Sequence, residues 1–323
     1  MKRIALLSLW IAVTCFSVVA QKPDMDARKL QMALYAVTNL YVDPTDEGKL
    51  VEDAIVGMLE KLDPHSTYTD PEETKEMTEP LEGNFDGIGI QFNVLTDTVY
   101  VIQVIPGGPS EKVGLVAGDR IVQVNDTVIA GVKMKTTDIM KRLRGLKGSE
   151  VRVKVKRNGE SELLDFTIVR GKIPVHSIDA VYMADKSIGY IKLNRFAASS
   201  TDEFKEALKT LDKKGMKKLI LDLQGNGGGY LNVAIELADE FLARGKQIVY
   251  TQGSKQKRQD AISTAQGSFE DGELVILVDE SSASASEILS GAVQDWDRGV
   301  IVGRRTFGKG LVQRPLPLPD GSM

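Results

Sequence analysis

The sequence predicts a mixed α and β protein: a helical opening, then a β-rich module, then a closing α/β layer built on a parallel sheet. Three observations predict it. From Met25 to Met77 apolar residues recur at helical spacing, first Leu30, Leu34, Val37 and Tyr41, then Leu50, Ala54, Met58 and Leu62. From Gly83 to Gly171 short alternating runs are separated by glycine-rich turns. From Lys172 to Met323 strand and helix patterns alternate, the order that builds a parallel layer.

In the helical opening, "VDPTDEGK" is a turn with Thr45 as candidate cap, and "LDPHSTYTDPEE" ends the second helix and starts another. Two or three short helices offer little core, so residues 21–82 are expected to pack on something else. Ahead of them, "MKRIALLSLWIAVTCFSVVA" has a basic start at Lys2 and Arg3, an apolar stretch and small residues leading to Ala20. That pattern is a secretory signal, residues 1–20, with cleavage expected after Ala20. The single cysteine, Cys15, lies inside it and raises a lipoprotein signal as an alternative, although Thr14 before it and "FSVVA" after it fit that poorly. A mature chain without cysteine carries no disulfide framework. Losing Lys2 and Arg3 takes the basic residues from 41 to 39 against 45 acids, a balance of −6. An exported, periplasmic or extracytoplasmic protein is expected, soluble or at a membrane face. The whole chain, at −4 with no Lys/Arg cluster, has no electrostatic footprint for nucleic acid.

In the β-rich module, residues 83–171, "VYVIQVI" and "VRVKVKR" alternate as half-buried strands do, and "TTDIMKRLRG" is a short helix ended by Gly145. "FDGIGIQF" sets Gly87 and Gly89 around Ile88 and Ile90, which lets consecutive amides turn toward one point and suits a carboxylate. Read alone, "GIGI" is also a strand with a bulge. With "VIPGGPSEKVGLVAGDRIVQVNDTVI" it resembles a PDZ domain in permuted order. The resemblance implies that a peptide adds as a strand and that amides around Gly87, Ile88, Gly89 and Ile90 hold its terminal carboxylate. The helix over Thr137 to Leu143 forms the other wall; Ile139, Met140 and Leu143 cannot all face the peptide.

In the closing layer, residues 172–323, "SIGYIKL", "KKLILDL", "QIVYT", "ELVILVD" and "GVIVG" are strands, and "STDEFKEALKTLDKK", "LNVAIELADEFLARG" and "SASEILSGAVQDW" are helices. Four serines crowd between Ser281 and Ser286 where "ELVILV" turns into a helix. A serine there is exposed by the turn and sits at a helix N-terminus, which favours a developing anion; Ser282, Ser284 and Ser286 as plain caps is the competing reading. The two histidines, His65 and His176, are distant in sequence. Lys309 is closer, between Gly308 and Gly310 in the loop after "GVIVG", and a lysine serves as a base where desolvation disfavours its ammonium form. "LILDLQGNGGGYL" places Gly227 to Gly229 between a buried strand and a helix; no Lys-Ser/Thr follows, which argues against a nucleotide loop and leaves a flexible turn or half an oxyanion hole.

"YVDP", "GMLEKLDPHSTY", "FDGIGI", "LRGLKGS", "LDLQGNGGG", "SASASEILSGAVQD" and "GRRTFGKGLVQ" occur in the order of the carboxy-terminal processing peptidases, or tail-specific proteases, which this chain resembles. The resemblance implies a crotonase-like α/β serine-protease layer with the PDZ domain inserted after the helical segment. It also implies Ser284 as nucleophile, Lys309 as base, Gln313 positioning the lysine, and oxyanion amides at Ala285 and Gly228. The chain departs from the family at Gln224, where arginine is usual, and the family's catalytic sheet continues beyond Met323, so this layer is expected to be truncated. With neither histidine in a ligand-spaced cluster, no metal or cofactor is expected.

The expected function is a secreted serine endopeptidase with a Ser-Lys dyad that takes protein tails by their C-termini. Arg144, in "LRGLKGS", is a candidate for coupling groove to dyad, and the N-terminal helices for a homodimer. The alternative is a catalytically idle PDZ scaffold.

Overall fold

The computed structural model describes Met25–Met323; the expected signal, with Lys2, Arg3, Cys15 and Ala20, lies outside the described residues. Two units divide the described chain: residues up to Thr69 together with Met323, and Asp70–Ser322.

The smaller unit carries α1 (Met25–Leu40) and α2 (Glu47–Leu59), and neither helix buries a residue. Leu30, Val37, Tyr41, Met58 and Leu62 are exposed. The cap of α2 is Asp46, which accepts from the Lys49 amide at 3.1 Å, and not Thr45, whose Oγ1 is buried without a partner among the described residues. A carboxylate outcompetes a hydroxyl at the positive end of a helix.

The larger unit opens with α3 (Pro71–Glu82). Asp70 accepts from the Glu72 and Glu73 amides at 2.8 Å each, Glu73 reciprocates in a capping box, and left-handed Gly83 (φ 73) ends the helix. β1 (Asn84–Gly87) then pairs antiparallel with β8 (Gly171–Pro174), so the module between them enters and leaves through one two-stranded neck. Inside the module are β2 (Ile90–Leu95), β3 (Thr98–Val104), α4 (Pro109–Lys112), β4 (Arg120–Val124), β5 (Thr127–Val128), α5 (Thr136–Leu143), β6 (Glu150–Lys156) and β7 (Leu164–Val169). The sheet runs β2-β3-β4-β6-β7, antiparallel throughout, with β5 on β4. Its inward residues, among them Val99, Val101, Ile121, Val153 and Val155, form a core that Ile139 and Leu143 of α5 complete. Met140 stays outside that core, which settles how α5 divides its apolar residues.

The closing layer contains β9 (Ile178–Asp185), β10 (Ile188–Leu193), α6 (Ser200–Asp212), β11 (Lys218–Asp222), α7 (Leu231–Asp239), β12 (Gln247–Gly253), β13 (Gln256–Ile262), β14 (Glu273–Val278), α8 (Ala285–Asp295) and β15 (Val300–Gly303). The sheet order is β15-β14-β11-β10-β9; the first four strands are parallel and β9 is antiparallel to β10. β12, expected among the sheet strands, leaves it and pairs with β13 in a separate ribbon. Ile191, Leu193, Leu221 and Ile276 of the sheet meet Phe204 and Leu211 of α6, Leu237 of α7, and Leu289 and Val293 of α8 in one core. Phe204 and Phe241 cross edge to face at 5.8 Å between ring centres. Phe204→Ala empties a fully buried site there, and a loss of about 3–5 kcal/mol is expected, read as a lower midpoint in urea unfolding.

Candidate active site

β11 and β14 are adjacent and parallel, so the loops leaving their C-terminal ends meet at one edge of the sheet, where open α/β sheets hold their ligands. The loop after β11 carries Gly227 to Gly229 into α7, and the turn after β14 carries the serines into α8.

The serines separate by what holds them. Ser282 is fully buried; its Oγ donates to the Leu223 carbonyl at 2.8 Å and accepts from the Asp279 amide at 2.9 Å. Ser286, also fully buried, donates to the Asn226 carbonyl at 2.9 Å. Both are fasteners between the two loops, and Ser281 is exposed. Ser284 is half-buried at the N-cap of α8 with φ 56 and ψ −108, a conformation that costs a non-glycine residue roughly 1–3 kcal/mol. Such strain at a strand-to-helix turn holds a side chain out of both elements.

Glu287 fixes that turn to the lysine loop. Its Oε2 accepts from the Ser284 amide at 2.8 Å and from the Lys309 amide at 2.9 Å, while Oε1 accepts from the Gly308 amide at 2.6 Å and Thr306 Oγ1 at 2.8 Å. Burial opposes ionisation of this carboxyl, but the four donors outweigh it and hold it below the ordinary glutamate range. Lys309 is half-buried, and its Nζ donates to Gln313 Oε1. One carboxylate oxygen thus binds the backbones of Ser284 and Lys309 together.

Asn226 organises the glycine loop. Fully buried, it donates from Nδ2 to the Leu193 carbonyl of β10 at 2.9 Å, while its own carbonyl accepts from the Ala283 amide at 3.1 Å and from Ser286. Its Oδ1 takes the Gly228 amide at 2.9 Å, so that amide is engaged in this structure. The Ala285 amide donates to no group among the described residues. Gly228 has φ 103, and a Cβ there would lie 2.8 Å from the Ala283 carbonyl and 3.0 Å from Ala285 N and Ser284 Cβ. The glycine loop therefore touches the serine turn at a place where no side chain fits. Neither Glu287 nor Asn226 stood out in the sequence; the signal for Glu287 is its place three residues after Ser284, the spacing of a capping box.

The remaining candidates lie elsewhere. His176 is 72% exposed, 3.8 Å from Glu203, on the stretch between β8 and β9. His65 belongs to the smaller unit. Gly87, Ile88, Gly89 and Ile90 bend from β1 into β2, and the Ile88 and Gly89 amides donate to no group among the described residues. The Ile88 side chain turns into the core, and Gly89 (φ 77) allows a bend that Ile173 and Pro109 close off to a Cβ. Beside Gly87, Arg144 lies over the Phe85 ring at 4.7 Å and pairs with Glu79 at 2.7 Å. Arg144, Phe85 and Glu79, with Met140, Lys141 and Val175, line a cleft of about 500 Å³.

Residues 187–323 match peptidase family S41, residues 87–168 the PDZ domain, and residues 16–74 the N-terminal domain of the activating protease CtpB. The chain is 34% identical to the carboxy-terminal processing protease CtpB of Bacillus subtilis over 93% of its own length and 62% of the relative's. It is 34% identical to CtpA of the same organism over 95% and 66%, and 36% identical to the carboxy-terminal-processing protease of Bartonella bacilliformis over 88% and 65%. The chain thus spans just under two thirds of these curated relatives. Among solved structures it is similar to the photosystem II D1 C-terminal processing protease, at 30% identity and TM-score 0.48, over 90% of this chain and 84% of that one.

Glu287→Gln removes the charge that four donors converge on. A displaced lysine loop is expected, read as faster amide hydrogen exchange at Gly308 and Lys309, with the far-ultraviolet circular dichroism unchanged. Because the carboxyl is held low, its contribution to stability is complete above the ordinary glutamate range and is lost as pH falls through the lowered value. Melting temperatures of wild type and Glu287→Gln should differ at neutral pH and converge in acid.

Proposed function

Because the chain belongs to the S41 peptidases, with a PDZ domain inserted in that fold, we propose that it is a serine endopeptidase that takes protein tails by their C-termini and cuts them with a Ser284–Lys309 dyad. The observation that carries this reading is the shared Glu287 oxygen, which ties strained, half-buried Ser284 to the lysine loop. A substrate tail adds along β2, its carboxylate on the amides between Gly87 and Ile90, the mode by which PDZ domains take peptides. The rest of the tail reaches Ser284.

Lys309 acts as the amine. It accepts the Ser284 Oγ proton as the oxygen bonds to the scissile carbonyl carbon, and Gln313 Oε1 orients its Nζ. The oxyanion is held by the free Ala285 amide and by that of Gly228, which exchanges Asn226 Oδ1 for the substrate oxygen. Lys309 returns the proton to the leaving amine, giving an acyl-enzyme. Water then attacks the ester, gives its proton to Lys309, and Ser284 recovers it as the acid leaves.

Further parts of the reading come from single features. The first twenty residues support export. The unburied apolar residues of α1 and α2 support a homodimer through these helices. The contacts of Arg144 with Glu79 and Phe85, beside Gly87, support a role in coupling tail binding to the dyad. An idle PDZ scaffold is the second reading; the intact Ser284, Lys309 and Gln313 weigh against it.

Incubation with an unfolded polypeptide tests the proposal. Wild type is expected to cleave, Ser284→Ala and Lys309→Met to lose cleavage at unchanged melting temperature, and Ser282→Ala to retain it at lower stability. Equal cleavage by wild type and Ser284→Ala would remove the serine assignment. Peptide binding without cleavage by wild type would favour the scaffold.

A further inference from the structure

Behind the glycine loop lies a charge cluster that the chemistry above does not use. β10 alternates so that Ile191 and Leu193 enter the core while Tyr190 and Lys192 share the other face. Lys192 is in register with Asp222, the last residue of parallel β11. Its Nζ lies 3.2 Å from Asp222 Oδ2 and donates to the Gln224 carbonyl at 2.6 Å. The Tyr190 hydroxyl donates to the same Oδ2 at 2.6 Å, and the Gln224 amide to Oδ1 at 2.8 Å. Tyr182 stacks on Tyr190 at 4.8 Å. Asp222 is 5% exposed, so its charge must be met inside the protein.

Resting on the peptidase reading, we propose that Lys192 is a positioning residue for the reaction: its ammonium neutralises Asp222 and clamps the Gln224 carbonyl, fixing where the glycine loop leaves the sheet and so where Gly228 meets Ser284. The residue at 224 itself, a neutral glutamine, brings no charge to this cluster, and Lys192 supplies it from the neighbouring strand. The path to the serine is short. Gln224 is followed by Gly225, whose amide donates to Asp279 Oδ1 at 3.0 Å, and then by Asn226, which holds Gly228, Ala283 and Ser286. Gly225, Gly228 and Gly229 all have positive φ and carry no side chain to anchor the loop, so its course depends on such external ties. Without the ammonium, Asp222 becomes a buried charge without a counter-ion, and the Gln224 carbonyl loses its donor.

The test uses the full chain and two readouts: hydrolysis of an unfolded polypeptide, resolved into kcat and KM, and binding of an apolar-ended peptide by fluorescence polarisation. Lys192→Met is expected to lower kcat about 100-fold, as small misplacements of reacting groups do, with KM and peptide affinity within about twofold. Lys192→Arg, which keeps the charge, is expected to recover most of kcat. Should Lys192→Met destabilise the fold, the pair Asp222→Asn/Lys192→Met removes both charges and is expected to be more stable and faster than Lys192→Met alone. Wild-type kcat in Lys192→Met, or Lys192→Arg no faster than Lys192→Met, would overturn the proposal. If wild type binds peptide but hydrolyses nothing, the peptidase reading fails and the positioning role falls with it.

Discussion

The site is organised around the Glu287 carboxylate. It is partly buried, ionised, and saturated by donors from two chain segments, the Ser284 turn on one side and Thr306, Gly308 and Lys309 on the other, which the Phe307 amide also joins by donating to the Ser282 carbonyl at 3.0 Å. Charge-assisted hydrogen bonds of this kind are worth about 1.5–3 kcal/mol each, enough to offset both the desolvation of the carboxylate and the strain at Ser284. Residues 304–318 form no helix or strand, so their course at the site depends on ties such as these rather than on a ladder.

Asn226 does for the glycine loop what Glu287 does for the lysine loop. Its side chain replaces a missing continuation of the sheet, joining β10 to the residues ahead of α7, and its carbonyl receives the serine turn. Parallel strands bring the two loops to one edge, and buried polar groups then tie them to each other. The PDZ module is a separate construction with its own apolar core, joined through the β1–β8 neck.

Much of this arrangement is legible in the sequence. Apolar strands and amphipathic helices in the closing layer stand out because each buries one face, and the order of those elements leads directly to a parallel sheet. β13 is not legible, since "QKRQDAI" is almost wholly exposed and has no apolar alternation; β12 reads as a sheet strand because "QIVYT" is a short apolar run in the alternating order of strands and helices, although it pairs outside the sheet. Asp46, next to the expected cap Thr45, is the stronger cap by its charge, and the helix takes it. At the site, the serine cluster and the glycine triplet announce themselves, but whether a serine faces inward is decided by partners up to 60 residues away in the chain. Asn226 is hidden for the same reason, since its function lies in long-range backbone bonds; Glu287 shows only the capping-box spacing to Ser284, and its bonds to Thr306, Gly308 and Lys309 leave no local pattern. Matching motif by motif to a known family supplied Ser284, Lys309 and Gln313 where local pattern left a cap and a loop lysine.

The claim that Glu287 sets the lysine loop against a reactive Ser284 is tested most directly by mass spectrometry of the protein treated with a serine-reactive fluorophosphonate, comparing wild type with Glu287→Gln. The account predicts a single adduct on Ser284 in the wild type, forming about 100-fold more slowly in the variant. An adduct on Ser281, Ser282 or Ser286, or equal rates in the two proteins, would contradict it.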